Sequence, residues 1–177
     1  GDNNIAIGKN ALGGSVDGDM NTAIGTDALV TYEGADGEGG NVAIGHTAGK
    51  FISTGQANTF VGQVAGTGIT GTPLTGDGNT AIGQTAGTEL EGAAHSNTFL
   101  GAGAGNVIEA GVENTCIGRN TATDDDTATN QTVIGFEAVG VADNSVTLGD
   151  GNVTAVYMAQ DSGATVYAGT GSFGNFI

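Results

Sequence analysis

A five-residue pattern of polar and apolar positions recurs nine times along this chain. Position one is Asn in seven copies, position two is β-branched in all nine, position three is small or apolar, position four is Ile, Val or Leu, and position five is Gly. The copies begin at Asn4, Asn21, Asn41, Asn58, Asn79, Asn97, Asn114, Gln131 and Ser145. Regular repetition of one short β-type unit predicts an all-β parallel solenoid, with one strand in each coil.

The spacing of the copies also favours a β-solenoid. The position-five glycines stand at 8, 25, 45, 62, 83, 101, 118, 135 and 149, so successive steps are 17, 20, 17, 21, 18, 17, 17 and 14 residues. These steps are too short for helical-pair repeats or propeller blades. They predict about nine coils, with the extra residues of the longer steps extending as loops.

Alternation of side chains along a strand separates the motif into two faces. We expect positions two and four to fill the interior of the solenoid. Position three would then point outward, and its mostly small or apolar residues predict a second buried face. We interpret this row as the interface of a parallel homotrimer; exposure of the alanines to solvent is the alternative. The predicted interface residues are Ala6, Ala23, Ala43, Phe60, Ala81, Phe99, Cys116 and Val133.

Two further rows follow from the same stacking. The position-one asparagines would lie above one another and form a hydrogen-bonded ladder. The position-five glycines permit a positive φ or a tight turn. Three residues after each glycine a small residue recurs, which predicts a corner without room for a large side chain. This row contains Ala11, Ala28, Ala48, Ala65, Ala86, Ala104, Thr121 and Ala138.

Composition narrows the class of protein further. Gly accounts for 35 of 177 residues and Pro for one, without a Gly-X-Y period, which excludes collagen. Disorder is the alternative for so Gly-rich a chain, but the regular apolar motif argues against it. With 19 acidic and three basic residues the net charge is −16, so neither nucleic acid nor an anionic membrane is an expected partner. No apolar run is long enough for membrane insertion.

The last part of the chain departs from the motif. We therefore expect residues 1–150 to form the solenoid and residues 151–177 to form a C-terminal β cap or a connector to a following module. Within that tail, 153–158 and 164–168 read as strands. Because the chain starts without Met, we expect it to be a piece of a longer or processed protein.

The sequence gives little support for catalysis. His46 and His95 lie in different repeats, and no nucleophile stands in a recognisable order with either, so no catalytic residue and no organic cofactor is expected. Cys116 is interpreted as a small buried hydrophobic residue. Acidic residues crowd the loops, and Asp124, Asp125 and Asp126 are the best candidates for a metal site, where Ca²⁺ would be the favoured ion. A solvated acidic surface is the alternative.

Residues that vary between repeats are the candidates for recognition. The inserts near residues 30–33 and 67–74 are the largest, and Tyr32, Ile69, Pro73 and Leu74 make them distinctive. Loops on rigid scaffolds often bind partners. Tolerated insertions without a role are equally compatible with the sequence. A host-surface glycan or protein is the expected class of receptor.

At the motif the chain resembles the head domains of trimeric autotransporter adhesins, whose repeats also occur in bacteriophage tail fibres and tailspikes. Asn144-Ser145-Val146-Thr147-Leu148-Gly149 is the nearest match to the adhesin signature, and the resemblance spans roughly residues 4–149. It implies a left-handed parallel β-roll, a side-by-side homotrimer and an extracellular place on a virion fibre or a bacterial surface. The steps here are longer than the roughly 14-residue adhesin period, and the basic neck motif is absent, which favours a fibre.

These observations support two functional hypotheses. The first is a non-enzymatic structural and adhesive module of a trimeric fibre that attaches to a host or cell surface. The alternative is a self-assembling extracellular filament or matrix protein without a specific receptor. An ice- or mineral-binding solenoid is set aside, because its flat Thr array would require the position-two threonines to face outward.

Overall fold

The structure is a computed structural model of the chain, and it describes residues 1–15, 17–35 and 37–156. Nine short strands and no helix occur in these residues. The strands are β1 (Ile5–Ile7), β2 (Thr22–Ile24), β3 (Val42–Ile44), β4 (Thr59–Val61), β5 (Thr80–Ile82), β6 (Thr98–Leu100), β7 (Thr115–Ile117), β8 (Thr132–Ile134) and β9 (Val146–Leu148). Each strand is three residues long and covers motif positions two to four.

The strands form one parallel sheet in chain order, from β1 to β9. Every pair is in register, so motif position two always lies beside position two, as Thr80 does beside Thr98. The chain is therefore a parallel β-solenoid of about eight turns, which confirms the predicted all-β parallel solenoid. At the usual spacing between strands, the stack is about 40 Å long.

The orientation of the strands is the opposite of the predicted one. Position three points into the chain's own core, where Ala23, Ala43 and Phe60 are fully buried. Positions two and four face outward, and their side chains are half-buried or exposed. The position-three row therefore fills the interior of the coils together with the corner residues and the anchors of the loops.

The core alternates large and small residues along the stack. Phe60 and Phe99 occupy position three in β4 and β6, with Ala81 between them in β5. Space for the rings comes from glycines at the next corner: a Cβ on Gly66 would overlap the ring of Phe60, and a Cβ on Gly105 would overlap that of Phe99. Close packing therefore means that a large residue at position three requires a glycine at the following corner of the coil.

Small residues also form the predicted corner row. Ala28, Ala48, Ala65 and Ala86 are all fully buried. Backbone hydrogen bonds stack the corner beside this row, since the Gly66 amide donates to the Ala86 carbonyl at 2.9 Å and the Gly87 amide to that of Ala104 at 2.9 Å. The motif glycines adopt positive φ, for example +138° at Gly62. The corner prediction and the glycine prediction are both confirmed.

An Asn ladder follows the first seven strands of the sheet, as predicted, and is buried except at its first member; it comprises Asn4, Asn21, Asn41, Asn58, Asn79, Asn97 and Asn114. The Asn79 backbone amide donates to the side-chain oxygen of Asn58 at 2.8 Å, and the Asn79 side-chain nitrogen donates to that oxygen at 3.0 Å and to the Ala94 carbonyl at 2.8 Å. Most of the asparagines, like Asn79, bond through both side-chain atoms to backbone groups of neighbouring coils, which satisfies polar groups that water cannot reach.

The C-terminal tail is described only to residue 156. Residues 153–156 are outside any strand, although they form the start of the first predicted tail strand. The remainder of that strand, the second strand at 164–168 and the predicted cap lie outside the described residues. The prediction of a separate C-terminal module is therefore not tested.

Candidate functional site

The most distinctive surface of the solenoid is the one that the strands turn outward. We define the outer sheet face as the side chains at motif positions two and four of the nine strands. Position four contributes an aliphatic row: Ile7, Ile24, Ile44, Val61, Ile82, Leu100, Ile117, Ile134 and Leu148. Within it, Ile44, Ile82 and Ile134 are 38, 38 and 39% exposed, and Leu100 is 46% exposed.

Position two contributes a second row beside the first. Thr occupies this position in β2 and in five consecutive strands, β4 to β8, and aliphatic residues occupy it in β1, β3 and β9. Thr98 is exposed, and Thr59, Thr80, Thr115 and Thr132 are partly exposed. The face is therefore a regular lattice of methyl groups and hydroxyls, repeated with the period of the sheet.

The outer sheet face also carries no charge. None of the residues in the nine described strands is acidic or basic, although the whole chain has 19 acids and three bases. The charges stand in the turns and loops instead. Contiguous apolar surfaces of more than a few hundred Å² are uncommon on soluble monomers and mark interaction sites. A face about 40 Å long and three residues wide, roughly 400 Å² in projection, is of that size.

The predicted subunit interface is wrong in its choice of row. Seven of its residues, from Ala23 to Val133, are fully buried within the single chain and have no surface to offer a partner. Ala6 is exposed because only one neighbouring coil, that of β2, covers it. Any association along the solenoid must use another face. The sequence does contain a signal that position three faces inward. Each position-three phenylalanine, Phe60 or Phe99, is followed six residues later by a corner glycine, Gly66 or Gly105.

Cys116 is one of these buried residues. It lies in β7 with no exposed surface, as its interpretation as a small hydrophobic residue predicted. Burial raises the pKa of the Cys116 thiol to about 12. A protonated, buried thiol is a poor nucleophile and a poor metal ligand.

The predicted receptor residues divide into two pairs. The side chains of Tyr32 and Leu74 are fully buried, so the prediction that they contact a receptor is wrong. Burial also raises the pKa of the Tyr32 hydroxyl, and the charge of Glu38 adds to the increase. Pro73 is exposed and Ile69 half-buried. These two residues stay predictions, at the tip of a loop that Leu74 anchors in the core.

That loop is held at its base and open at its tip. The Leu74 amide donates to the Phe51 carbonyl at 2.9 Å, and the Thr75 amide to that of Gly92 at 2.7 Å. The hydroxyl of Thr72 contacts the carboxylate of Glu91. Residues 70–73 are exposed. The loop therefore presents a short surface segment on a fixed support.

The aspartates at 124–126 do not converge. Asp125 accepts hydrogen bonds from the Thr127 amide and hydroxyl at 2.8 and 3.1 Å, while the Asp124 carboxylate accepts one from the Gln131 side chain. The Asp126 carbonyl accepts from the Glu109 amide at 3.0 Å. Among the residues that the structure describes, no three His, Cys, Asp or Glu side chains form a group that could hold a metal.

Acidic side chains do stack elsewhere, where loops of adjacent coils pair. The Glu91 amide donates to the Glu109 carbonyl at 2.9 Å, which brings these loops and that of Asp126 into successive layers. Partial removal from water, together with the charges of Asp126, Glu91 and Glu89, raises the pKa of the Glu109 carboxyl. The stack is an acidic edge of the molecule.

The histidines are on the surface, in separate coils. His46 and His95 are both exposed, and the ring of His95 contacts only the hydroxyl of its chain neighbour Ser96, at 3.2 Å. Two adjacent residues on an open surface do not provide the buried, oriented base that nucleophilic catalysis requires. Within the described residues, no helix is long and apolar enough to span a membrane.

Comparison with known proteins leaves the fold as the main guide. No protein-family model matches the chain, and a search of curated proteins finds no similar sequence.

Proposed function

We propose that this chain is a non-enzymatic structural and adhesive module of a surface-exposed homotrimeric fibre, either a phage tail fibre or a bacterial adhesin head. In this proposal the coils are left-handed, three chains pack side by side, and the fibre attaches to a host or cell surface outside the cell. The resemblance of the motif supports the handedness, the trimer and the location.

The observation that supports a structural role most directly is the unbroken stack of in-register strands. The Asn ladder, which extends to Gln131, and the hydrogen bonds between corners join successive coils. A solenoid of this kind gains its stability from contacts between neighbouring coils. Such a rod suits the shaft or tip of a fibre.

Attachment is assigned to the loops rather than to the strands. The exposed segment 70–73 is the most distinctive of these loops, because its tip is open while its base is fixed by Leu74. Recognition from a loop on a rigid scaffold is a common arrangement. We expect a host glycan or surface protein as the receptor.

Two measurements test the proposal. The mass in solution, followed over a range of concentrations, should show a discrete trimer, whereas polymers that grow with concentration would favour the filament alternative.

Binding to a glycan array or to host cells should be lost when residues 69–73 are replaced by Gly and Ser with Leu74 retained. A matched replacement of the exposed residues Asn106 and Val107 by Ser should leave it unchanged, and equal loss from both variants would contradict the assignment.

The outward threonines give a second candidate function. Ice or mineral binding was set aside because these residues were expected to be interior, and five consecutive threonines instead line the outer sheet face. The neighbouring aliphatic row makes the array only half hydroxylated, so we rank this function below the fibre module. Inhibition of ice recrystallisation by the wild-type chain, lost in Thr98→Lys, would favour it.

A further inference from the structure

The residues that follow the motif glycines of the first eight coils form a further row of outward side chains. We define the post-glycine row as Lys9, Thr26, His46, Gln63, Gln84, Ala102, Arg119 and Phe136. All of these side chains are exposed except Ala102, which is half-buried. The backbone fixes the register of the row, because the carbonyl of each member from Lys9 to Arg119 accepts an amide of the next coil at 2.9 or 3.0 Å. Consecutive members therefore stand one strand spacing, about 4.8 Å, apart.

The post-glycine row differs in charge from the rest of the molecule. It contains two of the three basic residues and one of the two histidines, and none of the 19 acidic residues. Its middle is polar and neutral, and the side-chain nitrogen of Gln84 donates to the side-chain oxygen of Gln63 at 3.0 Å. The ninth coil differs, since Asp150 follows its glycine and accepts hydrogen bonds from Asn152. In a chain of net charge −16, this row is a place where an anionic group meets bases rather than acids.

Arg119 and Phe136 form an open pair at one end of the row. The guanidinium carbon of Arg119 lies 5.6 Å from the centroid of the Phe136 ring. Phe136 is 56% exposed, whereas every other aromatic residue that the structure describes is buried or half-buried. Within the described residues the guanidinium has no hydrogen bond and no ion pair, and Glu137 bonds to Arg119 only through the backbone. The pair therefore presents a planar set of N–H donors beside an apolar ring, and the fold uses neither group.

We infer that the post-glycine row binds a glycan that carries carboxylate groups, with Arg119 and Phe136 as the principal contacts. A guanidinium pairs with a carboxylate through two parallel N–H donors. The C–H face of a sugar ring packs on an aromatic ring, which supplies a large apolar contact. The inference goes beyond the proposed function, because it names a surface apart from residues 69–73 and does not require a trimer.

The neighbours of this pair favour a glycan over other anions. Ala102 is the smallest member of the row, so it leaves room between the amide of Gln84 and the guanidinium of Arg119, which stand about 10 Å apart along the stack. Side-chain amides both donate and accept hydrogen bonds, as sugar hydroxyls do. A peptide that adds to a sheet needs an unpaired backbone edge, and β2 to β8 are paired on both sides. Nucleic acid carries a charge on every nucleotide, which two widely spaced bases match poorly.

Calorimetric titration of the wild-type chain tests the inference with two matched pairs of sugars. Sialyllactose is compared with lactose, and oligogalacturonate with its methyl ester. At least one of the two carboxylate-bearing sugars should bind about tenfold or more tightly than its uncharged partner. Arg119→Gln retains hydrogen-bond donors without the charge, so it should abolish this preference. Phe136→Ala should weaken binding of the charged sugar about tenfold.

Two substitutions outside the row are the controls. Lys50→Gln removes a charge from the one basic residue that the row does not contain, and Val107→Ala removes exposed apolar surface. Both variants should bind like the wild type. Because Arg119 and Phe136 are exposed, their variants should also keep the wild-type unfolding midpoint.

The outcomes separate this inference from the proposed function. A carboxylate preference that is absent in the wild type, that survives in Arg119→Gln, or that falls equally in Lys50→Gln overturns the site. Equal binding of poly-glutamate and of the charged sugar overturns the assignment to a glycan. The preference should persist when residues 69–73 are replaced, and its loss in that variant alone would assign the carboxylate to the loop. If that replacement leaves host-cell binding intact while Arg119→Gln removes the preference, the post-glycine site stands and the loop assignment fails.

Discussion

At the scale of single residues, the asparagine at motif position one does more than the sequence pattern required. Its side-chain oxygen accepts a hydrogen bond from the backbone amide of the next ladder residue. Its side-chain nitrogen donates to a backbone carbonyl at the end of the adjoining coil. Asn58, for example, accepts from the Asn79 amide at 2.8 Å and donates to the Gly76 carbonyl at 3.1 Å. Buried donors and acceptors are costly when they lose such partners.

Asn79→Ala is therefore expected to lower the free energy of unfolding by about 2–4 kcal/mol. The substitution leaves the Ala94 carbonyl without its side-chain donor and the Asn97 backbone amide without its acceptor. The Asn97 side-chain nitrogen loses one of its two acceptors and keeps the Gly111 carbonyl. Denaturant unfolding followed by circular dichroism measures the loss. Asn106→Ala is the matched control, because Asn106 is exposed, and its midpoint should stay close to the wild type. Equal effects of both substitutions would contradict a special role for the ladder.

At the scale of the structural element, the coil depends on a pair of residues six apart. A strand of three residues has little stability of its own, so packing inside the coil decides whether it forms. Phe60 fills the coil of β4 because Gly66 has no side chain in its way. Gly66 also has φ +54°, a conformation that disfavours residues with a Cβ.

Substitutions at Phe60 and Gly66 should be strongly coupled. Phe60→Ala leaves a cavity and should cost about 3–5 kcal/mol. Gly66→Ala forces a methyl group into the ring and should be similarly damaging. In the double variant the new methyl group occupies part of the vacated space, so the total loss should be smaller than the sum by more than about 1 kcal/mol. A strictly additive result in denaturant unfolding would show that the two residues act separately.

Gly151→Ala serves as the reference for this pair. Gly151 has open space around its Cα and no positive φ, so its substitution should leave the unfolding midpoint close to the wild type.

The same element shows how far sequence reasoning reaches. The positions of the strands, their stacking, the Asn ladder and the glycine turns were predictable, because each follows from repetition of a period-two pattern. Which side of the strand faces inward was not, because rows of Ile and Thr and of Ala and Phe both fit a buried face. The two orientations differ only in whether the side chains fit the volume inside the coil. That volume depends on corner residues such as Gly66, which is six positions from Phe60 along the chain.

The loops lie at the other limit of prediction. Tyr32 and Leu74 stand in inserts of irregular length, where no periodicity indicates burial. Both side chains are fully buried in the core. Sequence composition alone identified the inserts but could not separate their anchors from their tips.

At the scale of the whole molecule, the rod carries its charge at the edges. Carboxylates in successive loops repel one another, and the raised pKa of Glu109 is one local sign of this. With only three basic residues, few of these charges have a partner of opposite sign. The fold withstands the repulsion because its core and its ladder are uncharged.

Added salt should therefore stabilise the rod. Raising NaCl from about 10 mM to 0.5 M shortens the Debye length from about 30 Å to below 10 Å, which screens repulsion between loops. We expect the thermal unfolding temperature to rise by several degrees. CaCl₂ at equal ionic strength is the control for specific binding, and a much larger increase with Ca²⁺ would point to a cation site. A decrease with NaCl would contradict the repulsion argument.

The Asn ladder also makes the height of the stack independent of the perimeter of each layer. Steps of 17 and of 21 residues between motifs both advance the stack by one strand, because each asparagine fixes where the returning chain must arrive. Added residues widen the perimeter of one layer and leave the height of every other layer unchanged. An insertion between motifs can thus alter the outline of the rod at one level while distant levels keep their alignment.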